Sequence, residues 1–119
     1  MKKQFVTYEI AVKLKELGFD EPCLAYYSEG TLLSEFVLDH SKNVFYTQTN
    51  NDYEISAPLW QQAIDWCDSK GLLVGTIIID NLYKSTINKI NYETELFNSR
   101  NESIKRAIEF AIGYLQDNK

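Results

Sequence analysis

Cys23, Cys67 and the lone His40 are the only residues through which this 119-residue sequence could offer thiol–imidazole chemistry. A nucleophilic Cys–His pair needs a thiolate-stabilising setting and a third group that orients the imidazole. Cys67 instead falls on an apolar face beside Trp60 and Ile64, where burial raises a thiol's pKa. Both cysteines read as small packed hydrophobes, and His40, in a turn-like stretch, as an exposed polar residue. A structural zinc needs four N or S ligands, and one His with two distant Cys does not supply them. A hard cation on Asp20, Glu21 or Asp52 has no positive support. Asp65 and Asp68, at i and i+3, could form a carboxylate pair, but on an outer helix face they lack the desolvation that splits two pKa values into an acid and a base. The five glycines are scattered, so no phosphate loop forms. The expectation is no catalytic residue, no metal ligand and no cofactor.

Charge and aromatic content are more informative. The net charge is −5, unevenly spread: residues 1–15 carry +3, residues 16–69 carry −9, and residues 70–119 carry +1. Carboxylates in the middle block repel a phosphate backbone, which argues against nucleic acid as a partner and leaves a solvated face or a dock for a basic protein surface. Tyr26, Tyr27, Tyr46, Tyr53, Trp60 and Trp66 all fall in this acidic block. Tyr and Trp bring rigid apolar area with a polar handle, so they serve interfaces and cores alike. These six are the candidate binding residues, and both readings stand at this level.

The elements that must position them follow from periodicity. Thr7 can cap a helix through Leu17, with Ile10, Leu14 and Leu17 on one stripe and Gly18 as its left-handed stop. Cys23–Tyr27 reads as a strand, Ser28-Glu29-Gly30 as a turn, and further strands are expected within Leu32–Leu38 and Asn43–Thr47. Thr49–Asp52 is loop-like. Ser56-Ala57-Pro58 reads as a helix start, with Leu59, Trp60, Ala63, Ile64, Trp66 and Cys67 on one face and Gly71 as the exit. Leu72–Ile79 is nearly all apolar, the pattern of an interior strand covered on both faces. Asp80-Asn81 is a turn, Ser85–Tyr92 a half-polar return strand expected nearer an edge, and Glu95–Phe97 a short further strand. Ser99 and Glu102 fit a capping box opening a last helix to about Leu115, whose Phe110/Tyr114 edge permits a homodimer. The fold class is α+β: an antiparallel sheet of four to six strands with three helices, in the order α-β-β-(β)-α-β-β-(β)-α, as one domain over 1–119. Twice, a helix ends at glycine and leads into a strand and its hairpin partner, an αββ unit used two times.

The segments Ala11–Cys23, Ala25-Tyr26-Tyr27 and Ser56–Trp66, the last containing Pro58-Leu59-Trp60-Gln61-Gln62, resemble a set of uncharacterised small proteins of Bacteroides-type bacteria and their phages. That resemblance covers about a quarter of the chain and brings no activity or catalytic residues. It implies a phage or mobile-element origin and a cytoplasmic life.

No apolar stretch follows Met1-Lys2-Lys3 to make a signal peptide, and Leu72–Ile79 is too short to cross a bilayer as a helix. No membrane partner is expected. The reading is therefore a cytoplasmic, non-enzymatic protein-interaction module with a basic-surfaced partner. The alternatives are a small enzyme with an unrecognised site and a nucleic-acid-associated phage protein.

Overall fold

Helix α1 (Tyr8–Glu16) begins where the sequence places it, with the Thr7 hydroxyl accepting from the Ile10 amide at 3.4 Å. It ends in a Schellman motif: the Gly18 amide donates to the Lys15 carbonyl at 3.0 Å and the Phe19 amide to the Leu14 carbonyl at 2.9 Å. This closure needs a left-handed residue, and Gly18 supplies φ +97°. It also drives Phe19 into the interior, 1% exposed. The computed structural model describes residues 2–39 and 41–118; His40 lies outside them. The chain falls into two units, Met1–Gln61 and Gln62–Lys119.

In the first unit, β1 (Ala25–Ser28) and β2 (Thr31–Leu33) form a hairpin closed by Glu29 and Gly30. Both loop residues have positive φ, 51° and 85°, the twist-matched two-residue turn. β3 (Glu54–Ala57) pairs antiparallel on the other side of β1, giving the order β2-β1-β3. Ala25 and Ala57 meet Phe5 in a core joined by Leu32, Phe36, Val37 and Leu59, and α1 lies against β3.

Three expectations are corrected in this unit. The strand expected within Leu32–Leu38 stops at Leu33, because Ser34 turns the chain: its hydroxyl accepts from the Phe36 amide at 2.9 Å, bonds the Leu24 carbonyl, and caps the short helix α2 (Glu35–Leu38). The strand expected at Asn43–Thr47 shrinks to a bridge between Tyr46 and Cys23. Ser56 is no helix cap; it lies in β3 opposite Tyr26, and the helix starts at Trp60. Burial of Ile55 and Ala57 to 4% and 0% outweighs the Ser-x-Pro signal.

Helix α3 (Trp60–Ser69) leads into the second unit and repeats the α1 ending. The Gly71 amide donates to the Asp68 carbonyl at 2.8 Å and the Leu72 amide to the Cys67 carbonyl at 2.9 Å. Gly71 has φ +87°, and Leu72 is 1% exposed. A second hairpin follows, β4 (Val74–Ile79) and β5 (Leu82–Ile87), closed by Asp80 and Asn81 at φ 50° and 68°. The helix–glycine–hairpin unit expected twice is present twice. After a 3-10 turn at Asn88–Ile90, β6 (Tyr92–Glu93) pairs with β5, for the order β4-β5-β6. Phe97, expected within a short strand, makes only a bridge to Tyr83.

Helix α4 (Arg100–Asp117) is capped by Ser99, whose hydroxyl accepts from the Glu102 amide at 3.4 Å. Its buried seam is Ile104, Ala107, Ile108, Ala111 and Ile112, with Ser103, and it lies along β5 and β4. The Ser103 hydroxyl is satisfied by Ser85 Oγ at 3.0 Å and the Arg100 carbonyl at 2.8 Å.

The fold is α+β, but the expected sheet of four to six strands with three helices is replaced, among the described residues, by two antiparallel sheets of three strands and four helices. The apolar run is also corrected. β4 is an edge strand, with Ile77, Ile78 and Ile79 exposed by 44, 65 and 39% and Leu73, just before it, by 51%. The half-polar β5 is the central strand. Composition reports what a strand can bury, whereas its place in the sheet is set by which strands pair with it: β5 takes β4 on one side and β6 on the other.

Candidate functional site

Alternation along β1 divides the tyrosines. Residues i and i+2 share a sheet face, so Tyr27 joins Ala25 on the core side while Tyr26 points the other way with its cross-strand neighbours Leu33 and Ser56. Tyr27 is held there: its hydroxyl donates to the Val6 carbonyl at 2.7 Å and its ring meets Tyr8 edge-on, centroids 5.5 Å apart. Burial and the nearby Glu9 carboxylate raise its pKa.

Tyr26 finds its partner in the segment after α2. Tyr46 is fixed by two backbone bonds with Cys23, at 2.8 and 2.7 Å, and its ring packs on Tyr26 with centroids 4.7 Å apart at 52°. Its hydroxyl accepts from the Glu35 amide at 3.4 Å. These two rings form a ridge shared by two clefts. One, of about 350 Å³, is lined also by Phe45, Thr47, Thr49, Glu54 and Ser56. The other, of about 250 Å³, is lined also by Leu33, Glu35, Val37 and Leu38. Phe45 is 63% exposed beside the ridge. Each cleft therefore combines aromatic walls with one carboxylate, and neither has a cation in its lining. Glu35 reaches Lys42 at 3.9 Å through largely exposed side chains, a contact of little energetic weight.

Gln48 lies in the same segment, between two lining residues of the larger cleft. Its Oε1 accepts from the Ser56 amide at 3.0 Å, which fixes the orientation of the side-chain amide: a flip would set NH₂ against N–H. Its Nε2 is buried with no hydrogen-bond partner. A buried donor without an acceptor costs on the order of 1–3 kcal/mol, a cost that a bound acceptor would remove.

A third cleft, of about 430 Å³, lies against α1 and is lined by Tyr8, Val12, Lys15, Glu16, Asp52 and Ile55. Lys15 Nζ is committed there to the Asn51 and Glu54 carbonyls, at 2.8 and 3.1 Å. It ties α1 to the loop before β3.

Of the six candidate residues, the structure brings together only Tyr26 and Tyr46. Tyr53 is 66% exposed apart from the ridge. Trp60 is half-buried and donates from Nε1 to the Lys3 carbonyl at 2.9 Å. Trp66 is 5% exposed, with Lys70 Nζ 5.1 Å from the centre of its ring. Sequence reasoning missed Glu35, Gln48 and Glu54 as lining or neighbouring groups. Only the alternation of Glu54 with Ser56 could have found one of them, and the helix start assigned to Ser56 hid it.

The other chemistries are also placed. Cys23 and Cys67 are both buried and not joined by a disulfide. Burial pushes the Cys67 thiol up to about 11, so it is not a thiolate at neutral pH. Among the described residues, no group of three His, Cys, Asp or Glu gathers to hold a metal, and no helix is long and apolar enough to cross a membrane. Arg106 sits 3.4 Å from Glu95 and 3.9 Å from Glu109, so its charge on α4 is offset by two carboxylates. No family model, curated protein or solved structure matches this chain.

Proposed function

We propose that this chain is a non-enzymatic protein-interaction module whose Tyr26–Tyr46 ridge seats a basic segment of a partner protein. The observation that carries the reading is the pairing of aromatic faces with Glu54 on one side of the ridge and Glu35 on the other. Aromatic faces attract Lys and Arg side chains through the ring quadrupole, by about 0.5–2 kcal/mol each, and a carboxylate beside them supplies the counter-charge. Two clefts across one ridge suit two anchoring side chains of an extended segment. The unit that carries them, Met1–Gln61, has net charge −4 and the remainder −1, so long-range steering of a basic partner favours this half. A cytoplasmic site of action, and the phage or mobile-element origin that the resemblance implies, belong to the same proposal.

The test is calorimetric titration of the folded protein with an unstructured peptide of alternating Lys and Ala, with a Glu-Ala peptide as control. Saturable binding of the Lys peptide, lost in Tyr46→Ala and weakened in Glu54→Gln, supports the reading. Binding that neither substitution changes, or no binding at low salt, refutes it.

A further inference from the structure

The edge of β4 is a second surface, independent of the tyrosine ridge. Edge strands expose a row of unpaired N–H and C=O groups that proteins blunt with charge, proline, bulges or short length. The other edges among the described residues are blunted. β2 has three residues and β6 two. On β3, Gln48 Oε1 occupies the Ser56 amide and Lys15 Nζ the Glu54 carbonyl. β4 has none of these devices. It is six residues long, has no charge and no proline, and carries Ile77, Ile78 and Ile79 exposed by 44, 65 and 39%.

A two-residue hairpin closes on a hydrogen-bonded pair, here Ile79 and Leu82, so Ile79, Ile77 and Gly75 bond towards β5. The amides of Thr76 and Ile78 then face the open side.

We infer that β4 pairs antiparallel with β4 of a second copy of this chain, joining two three-stranded sheets into one of six strands. The run is complementary to itself about Thr76. An antiparallel copy sets Leu73 opposite Ile79, Val74 opposite Ile78 and Gly75 opposite Ile77, with Thr76 meeting Thr76 on the two-fold axis. Every exposed apolar side chain from 73 to 79 gains an apolar or glycine neighbour, and no charged residue faces another. The same register brings the Asp80 end of one strand towards the Lys70 end of the other, opposite in sign. The unit that carries β4, Gln62–Lys119, is nearly neutral at −1, so two such units meet with little mutual repulsion. Such an isologous contact closes on itself as a dimer. This places the dimer contact away from the last helix, where Phe110, although 43% exposed, already stacks on Tyr92 with centroids 3.8 Å apart.

Sedimentation velocity on the whole chain tests this. Wild type should sediment at twice the 13.8 kDa chain mass. Ile78→Lys and Ile77→Lys should halve that mass while keeping wild-type circular dichroism, and Phe110→Asp should remain a dimer. Amide exchange gives a readout on wild type alone: Thr76 and Ile78 should become protected as concentration rises. A wild-type monomer with fast exchange at both amides overturns the inference, as does a dimer that survives both lysine substitutions or dissolves only in Phe110→Asp. A β4 that accepts only a foreign strand would appear as that monomer.

Discussion

Tyr26 and Tyr27 show how much one position along a strand decides. They are adjacent and chemically identical, yet Tyr27 is tied to the Val6 carbonyl at 2.7 Å while Tyr26 faces two clefts. Tyr27→Phe should cost about 1 kcal/mol of stability, the worth of one hydrogen bond, without affecting recognition of a basic peptide. Tyr26→Ala should weaken that recognition while leaving the Val6 contact intact; peptide titration beside chemical denaturation separates the two effects. Cys67 gives the pH prediction. Its thiol is raised from 9.0 to about 11 by burial, so above pH 9 the unfolded chain ionises before the folded one. The stability from the neutral buried thiol is complete below the unfolded pKa and is lost as pH rises from 9 through 11. With that difference worth about 3 kcal/mol, Cys67→Ala should flatten the denaturation midpoint across that window. Tyr27, shifted in the same direction, leaves a residual slope. An unchanged alkaline slope in Cys67→Ala would show that the thiol has no such role.

The elements show which features are legible in sequence and which are not. Caps, stops and tight turns depend on a few neighbouring residues, and they read directly: Thr7 and Ser99 cap, Gly18 and Gly71 stop, and Glu29-Gly30 and Asp80-Asn81 turn. Strand placement depends on which strands pair on each side, and composition does not show it. The apolar run at 72–79 looks interior but is an edge, and the polar-flecked β5 is central because two partners flank it. Ser34 and Ser56 depart from the sequence expectation for a related reason. A serine before apolar residues can end a strand, cap a helix or sit in a ladder, and tertiary bonds to Leu24 and Gln48 decide which. For the site, Tyr26 and Tyr46 are identifiable by type, but their pairing is not, because it rests on a bridge that links Tyr46 to Cys23 across 23 residues. The two glycine stops give an element-scale prediction. Gly18→Ala meets no atom within 4 Å, whereas at Gly71 an added Cβ would meet only the end of the Lys89 side chain at 3.0 Å. Both substitutions should therefore destabilise chiefly by left-handed backbone strain, about 1–2 kcal/mol, measured as a shift in urea midpoint at constant slope.

At the scale of the molecule, acidity, aromatic surface and the open strand edge are separated along the chain. The first unit holds the ridge and most of the negative charge, and the second holds the nearly neutral edge strand. Recognition and self-association should then respond differently to salt. Added salt screens the attraction of a basic peptide and leaves apolar strand pairing intact. The central claim is that a basic segment docks on the Tyr26–Tyr46 ridge, and the most direct measurement is a map of backbone amide shifts on titrating the isotope-labelled protein with the Lys-Ala peptide at low and high salt. The account predicts salt-sensitive, saturable shifts concentrated at residues 26, 33–37, 45–49 and 54–56. Shifts confined to other parts of the chain, or shifts at the ridge that are insensitive to salt, would contradict it.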